Sequence, residues 1–290
     1  CIWGSRRTPE GIWSAKKQLT EDDGIPHWNP VLLKIPDGTI FLFYKQGKPI
    51  SRWYTMYLTS SDNCRSWSRP KELVPGDVGG RGPARNKAII LSNGWLLAPA
   101  SSEDFLWSMF ADISKDSGRT WAASERQNIF HQGETPATWY DRLLDRSPLR
   151  KKRGVIQPTF WESAPGHVHA LMRSSEGRIY RAESIDYGQI WSRPEKTELP
   201  NNNSGIDAVR LPNGHVYLVY NPVDKNWGKR YPISLALSKD DGLSWTKVTD
   251  LEDGCGNSEL SYPCIQYEDG YLYITYTRNR INISFRILRP

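Results

Sequence analysis

An eight-residue turn, Ser-x-Asp-x-Gly-x-x-Trp, recurs along this 290-residue chain and limits its fold more than any other feature. Full copies stand at 114–121 (SKDSGRTW), 184–191 (SIDYGQIW) and 238–245 (SKDDGLSW). A fourth, at 60–67 (SSDNCRSW), carries Cys64 in the glycine position, and a worn copy ends at Trp13. The tryptophans fall at 13, 67, 121, 191 and 245, in steps of 54, 54, 70 and 54. A fixed period of this size signals a repeat architecture, in which each unit buries its apolar face against the next. The chemistry inside the turn is local. The aspartate accepts bonds from backbone amides, the glycine supplies a positive φ, and the indole is a large ring to bury. The motif is therefore read as a structural staple that sets the register of everything else.

Between staples each unit reads alike. Asn29 to Ile35 is an apolar run, a Pro-Asp-Gly turn follows, and Ile40–Tyr44 and Tyr54–Thr59 are further strand candidates. The pattern returns around Ser92-Asn93-Gly94, Pro212-Asn213-Gly214 and Glu268-Asp269-Gly270. Short β-rich runs divided by such turns predict four-stranded antiparallel blades. Blades of this kind pack radially. The expectation is an all-β, six-bladed β-propeller forming a single domain over 1–290, with the first blade incomplete. The first strand belonging to Trp13 would lie upstream of Cys1, and a closed ring would take the last blade's fourth strand from there. One long insertion, between Trp121 and Gly154, contains the run DRLLDRSPLRKKR at 141–153. Loops of that length are functional or disordered. This one is read as a mobile basic loop, with a substrate-edge loop as the alternative.

The net charge of +6 and pI near 9.0 suit an anionic ligand, although most surface Lys and Arg only solvate the fold. Nothing beyond that charge suggests nucleic acid, which is discounted. No apolar run is long enough to span a membrane as a helix. Cys1, Cys64, Cys255 and Cys264 have no metal-ligand spacing, so no metal and no cofactor are expected. His131, His167, His169 and His215 show no usable pattern. Asn202 and Asn282 fit the N-x-S glycosylation pattern, which matters for a secreted protein. A monomer is expected, and secretion is compatible with the sequence.

The repeat also superposes the units without coordinates. Asn29, Lys87, Gln157, Asp207 and Tyr262 occupy one position of the first strand in turn. Lys45, Glu103, Arg173, Asn221 and Arg278 end the second strands, at offsets of 16, 16, 16, 14 and 16. Two polar registers in otherwise apolar strands predict two rings around one mouth of a central channel. Arg52 and Arg230, each 15 residues before a staple tryptophan, add a third level, and His27 lies beside the ring as a candidate base. Arg173 and Arg230 could fork a carboxylate, since guanidinium offers paired donors. The competing explanation for any one of these groups is an internal hydrogen-bond network, and Asn29 and Asn221 suit it best.

These turns, the blade count and the segments HWNPVLLK, RNKAII, GVIQPTFW, NSGIDAVRLPNG and LSYPCIQ resemble the sialidase (neuraminidase) superfamily, in its BNR/Asp-box repeat-like branch. The resemblance covers essentially the whole chain. It implies that Arg173 and Arg230 match two of three carboxylate-binding arginines and that Tyr262 matches the nucleophile. Gln157 stands where the family has the glutamate partnering that tyrosine. The first arginine and the acid/base aspartate would lie upstream of Cys1. The implied function is a sialidase-like glycoside hydrolase acting on a terminal acidic sugar, sialic acid or uronate, of an oligosaccharide or glycoconjugate. Elimination by a polysaccharide lyase is the neighbouring chemistry. The alternative is a non-catalytic glycan-binding or scaffold propeller. The candidate catalytic set is Tyr262, Gln157 and Asp207. The candidate substrate-binding set is Arg173, Arg230, Arg278, Asn29, Lys45, Lys87, Glu103 and Asn221.

Overall fold

The computed structural model describes residues 1–104, 106–130 and 152–290. Residues 141–151 of the expected basic loop lie outside the described residues. The fold is all-β, and the one helical element among the described residues is a single 3-10 turn at Ile50–Arg52. No helix is long and apolar enough to cross a membrane.

The strands group into six successive units. The first is the pair β1 (Trp3–Gly4) and β2 (Lys17–Gln18). The second holds β3 (His27–Lys34), β4 (Ile40–Gln46), β5 (Tyr54–Ser60) and β6 (Lys71–Glu72). The third holds β7 (Ile89–Ile90), β8 (Leu96–Ser102), β9 (Leu106–Ser114) and β10 (Ala122–Ala123). The fourth holds β11 (Arg153–Ala164), β12 (His167–Ser174), β13 (Arg178–Ser184) and β14 (Glu195–Pro200). The fifth holds β15 (Asp207–Arg210), β16 (Val216–Tyr220), β17 (Ile233–Ser238) and β18 (Thr246–Glu252). The sixth has β19 (Leu260–Glu268), β20 (Tyr271–Arg278) and β21 (Asn282–Leu288). Within every unit neighbouring strands pair antiparallel in chain order. A short parallel contact between β9 and β11, at Leu106/Arg153 and Trp107/Gly154, joins the third unit to the fourth. Gly154 permits it: its φ is 131°, and a Cβ there would stand 2.2 Å from the Trp107 carbonyl oxygen.

The repeated turn has the geometry that its residues demand. In the third unit Ser114 Oγ donates to Asp116 and accepts the Gly118 amide, while Asp116 accepts the amides of Arg119 and Thr120. The same bonds recur around Asp62 and Asp186, and nearly the same around Asp240. The fifth position is left-handed in all four, with φ of 88°, 84° and 88° at Gly118, Gly188 and Gly242, and 61° at Cys64.

Each staple tryptophan joins its unit to the one before. Trp67 packs on Ile2, Leu42 and Leu58. Trp121 meets Phe43 edge-on at 5.9 Å. Trp191 sits in a cluster with Leu97, Met109 and Phe160. Trp245 packs beside Trp161 and Leu218. A cluster of Leu235, Leu260, Ile265 and Tyr276 joins the fifth unit to the sixth. Trp13 of the first unit meets Phe285 of the sixth edge-on at 5.4 Å. Each large buried side chain in these seams contributes about 1.5–3 kcal/mol, so the seams hold the units together. Asn202, a sequence-level glycosylation candidate, is buried and donates to the Lys229 carbonyl, which closes it to modification in this fold. Asn282 stays exposed.

Candidate functional site

Three first strands break register at the same place. The shifts lie between residues 28 and 31 in β3, 156 and 159 in β11, and 261 and 264 in β19. At each break a non-glycine residue takes left-handed φ directly before a proline: Asn29 at 49°, Gln157 at 53° and Tyr262 at 54°. That backbone is costly for an L-residue, and it persists where the surroundings over-determine it. A bulge also re-aims the side chain it carries. The second, fourth and sixth units thus each present one polar side chain out of the ladder.

Two of these three, Gln157 and Tyr262, sit among polar and charged side chains. Gln157 Nε2 donates to Glu103 Oε1 at 2.8 Å, and Gln157 Oε1 accepts from Arg173 Nη1 at 3.1 Å. Arg173 Nε donates to Asn203 Oδ1 at 3.1 Å, and Asn203 Nδ2 continues to Asn226. Arg230 Nη1 bonds Glu259 Oε1 at 2.8 Å, and Arg280 holds the other oxygen of Glu259 at 2.9 Å. The Tyr262 ring lies under two guanidinium groups, with Arg230 Cζ 5.1 Å and Arg85 Cζ 5.8 Å from its centroid. Open depressions border this centre on both sides. One is lined by Tyr262, Thr277 and Arg280, the other by Lys45, Trp53, Ser101 and Glu103.

The charges are unevenly satisfied. Arg173 is 5% exposed, and both of its side-chain partners are neutral amide oxygens. Among the described residues no carboxylate lies within ion-pair distance of it. Burial pushes its pKa down to about 10, against the pull of Glu103. Arg85 is bonded only to the Pro263 and Ile206 carbonyls and to Asn86 Oδ1, and burial lowers it too. A buried cation without a counter-charge is costly, and Arg173 is one, beside the half-buried Arg85. Burial would raise the Tyr262 phenol, but the fields of Arg230, Arg173 and Arg280 overcome it and pull the pKa below the ordinary tyrosine value. Six other tyrosines (44, 54, 180, 217, 220 and 276) shift the opposite way, with burial as the leading cause.

Other sequence candidates serve the framework. Asp207, expected among the catalytic groups, is 1% exposed. It takes Lys87 Nζ on both oxygens, the Thr159 hydroxyl and the amides of Ala208 and Ile265. Every lone pair is engaged and no face is open to a substrate. That corrects the assignments of both Asp207 and Lys87, which together pin three first strands. Lys45 is buried, donates to Thr55 Oγ1 and the Arg81 carbonyl, and is pushed by burial down to about 8. Asn221 is fully buried among Ser204 and the Pro232 and Leu260 carbonyls. Asn29 donates to the Ala84 carbonyl. Arg278 turns to Glu252 on β18 at 2.6 Å and leaves the mouth cluster, whose Glu259 is already held by Arg230 and Arg280. His27 is held by Thr20 and faces Asp23, and Arg52 is exposed on the 3-10 turn. Sequence reasoning missed Arg85, Glu259, Arg280 and Asn203. Arg85 had a signal, standing two residues before Lys87 in the run that enters the first strand. Glu259 had one too, three residues before Tyr262 and bridged to Arg230.

Comparison with known proteins bears on this architecture. No curated protein matches the chain. Among solved structures, the Hadza microbial sialidase Hz136 superposes with a TM-score of 0.75 at 18% identity, over 98% of this chain and 58% of its own. A Dyadobacter fermentans protein of unknown function gives a TM-score of 0.72 at 18% identity, over 99% and 83%. Trypanosoma rangeli sialidase gives 0.66 at 17%, over 95% and 47%. At these identities the likeness is one of fold, and the chain spans about half the length of the sialidases it matches. The BNR repeat-like domain matches residues 1–274. The chain belongs to that family.

Proposed function

We propose that this chain is a single sialidase-type domain whose six units close into a six-bladed propeller, and that the mouth centre binds the carboxylate of a terminal acidic sugar. Closure is supported by the staple rule: every staple tryptophan packs on the preceding unit, and Trp13 packs on the sixth. The single observation that carries the functional reading is Arg173, a buried guanidinium whose side-chain partners are all neutral. An incoming carboxylate supplies the missing counter-charge. Arg230 joins it, with Glu259 keeping that guanidinium oriented. Gln157 holds Arg173 in place and relays to Glu103, the nearest carboxylate on that side of the chain of bonds.

Tyr262 is the reacting group in this reading. As phenolate its oxygen attacks the anomeric carbon, the glycosidic carbon–oxygen bond breaks, and the departing oxygen takes a proton from a general acid. Water then releases the sugar from the tyrosine. Sialidases with a tyrosine nucleophile are the known exception among glycosidases. The arginine field favours the phenolate, which Gln157 cannot do by taking a proton. That same amide supports a second reading, elimination. Neutralising a uronate carboxylate with arginine acidifies the neighbouring C–H, and Tyr262 would then act as the base.

The test is titration of sialosides and glucuronate-containing glycans into wild type and variants. Arg173→Ala should weaken binding by about 2–5 kcal/mol, the usual effect of breaking a buried charged contact. Arg173→Lys should do nearly as badly, since an ammonium cannot make the fork. Tyr262→Phe should abolish turnover and leave binding close to wild type. Full turnover in Tyr262→Phe would remove the tyrosine from the chemistry. Intact binding without turnover in wild type would favour the glycan-binding propeller.

A further inference from the structure

At the other end of the fourth unit stands a second cluster that the proposed function does not use. His167 and His169 are two residues apart on β12, so both side chains leave the same face of the strand. Glu183 on β13 is the direct cross-strand partner of His169. His167 Nε2 lies 3.3 Å from Glu183 Oε2, and His169 Nδ1 lies 3.2 Å from Glu183 Oε1. Arg173 is four residues beyond His169 and six beyond His167 along β12, about 13 to 20 Å at the usual strand rise, so this is a separate place on the molecule.

Ser163 Oγ stands 2.7 Å from His169 Nε2 and 3.4 Å from the His167 carbonyl, so Nε2 is engaged. Nδ1 is the nitrogen left facing Glu183. It is buried, makes no hydrogen bond, and points at a carboxylate oxygen. His169 is 5% exposed and stacked on Trp161, so the ring cannot turn away. With Nδ1 unprotonated, its lone pair and the carboxylate repel at that distance, and a cation between them removes the repulsion. Arg181 donates to Glu183 Oε1 and holds the carboxylate in position, leaving Oε2 toward His167. Asp241 of the neighbouring turn adds negative potential to His169.

We propose that His167 Nε2, His169 Nδ1 and Glu183 form a binding site for a divalent first-row ion, with zinc as the best fit. Two imidazoles and one carboxylate are a borderline donor set of the zinc type. Zinc–ligand bonds of about 2.0–2.1 Å in a tetrahedron place donors about 3.4 Å apart, close to the His167 Nε2–Oε2 and His169 Nδ1–Oε1 separations, one to each oxygen of Glu183. All the donor atoms lie within 4.8 Å of one another, and the half-exposed His167 ring has the freedom to close the third edge. Solvent takes the fourth position. The Ser163–His169 and Arg181–Glu183 bonds then serve as the outer contacts that orient ligands in metal sites.

The experiment strips the protein with chelator and titrates zinc chloride by calorimetry, with cobalt(II) absorption as a second readout. One ion per chain should bind, and the melting temperature should rise with it. His167→Ala, at a half-exposed position, should weaken binding at least tenfold, and Glu183→Gln should do the same. His215→Ala should change nothing. Cobalt(II) should give ligand-field bands without a thiolate charge-transfer band. Absence of saturable binding would overturn the proposal. So would binding that survives both His167→Ala and Glu183→Gln, or a thiolate band assigning the ion to the cysteines.

Discussion

Tyr262 gathers the account at the scale of one residue. Its phenol sits beside Arg230 with Arg173 and Arg280 near, and their fields outweigh its burial. The prediction is that one tyrosine ionises below the free value of about 10 in an alkaline absorbance titration. Tyr262→Phe should delete that step, and Arg230→Ala should move it upward. An early-titrating tyrosine that persists in Tyr262→Phe would show that the field acts elsewhere. The residue scale is also where reading from sequence alone falls short. The register put Gln157, Tyr262, Arg173 and Arg230 at one level because strand period and repeat period are both fixed. It could not see which polar groups satisfy each other. Lys87 and Asp207 occupy ring positions like the others, yet the ion pair between first strands withdraws both. Arg278 keeps the register of Arg173 and still leaves for Glu252, since a side chain follows the nearest counter-charge rather than the repeat.

The repeated turn carries the argument at the scale of an element. Its serine, aspartate and positive-φ position were readable because each residue type serves one geometric need. The seam beneath it was readable only as a ring buried between neighbouring units, and its partner residues were not, because they come from the preceding unit. A Cβ on Gly188 would stand 2.6 Å from Leu97 Cδ1 of the third unit, on top of a φ that L-residues avoid. Gly188→Ala should therefore cost about 2–4 kcal/mol, combining backbone strain and overpacking. Cys64→Ala, where a side chain already tolerates that φ, should change stability by less than about 1 kcal/mol. Equal losses in chemical denaturation would contradict this. The turn also sets an acid limit. Asp240 is held at about 2 by its bonds to Ser244, with Ser238 helping. A folded pKa below the unfolded value means stabilisation that is full above about pH 4 and lost as pH falls toward the folded value. Asp240→Asn should be less stable than wild type at neutral pH, with the gap closing between about pH 4 and pH 2. A gap that stays constant across that window would remove the carboxylate from the turn's stability.

Across the whole molecule, the polar groups of the centre are drawn from the third, fourth, fifth and sixth units. No single unit contains a site. The period of the repeat made the all-β units readable from sequence, while the parallel contact of β9 with β11 had no signal, being a meeting of backbones at Gly154. The central claim is that the converged arginines answer a carboxylate. Its most direct test is calorimetric binding of sialic acid and glucuronate glycosides beside their carboxyl methyl esters, in wild type and Arg173→Ala. Esterification should weaken wild-type binding at least tenfold and should make little further difference in Arg173→Ala, because the lost charge and the lost guanidinium are partners. Equal binding of acid and ester by the wild-type protein would contradict the account.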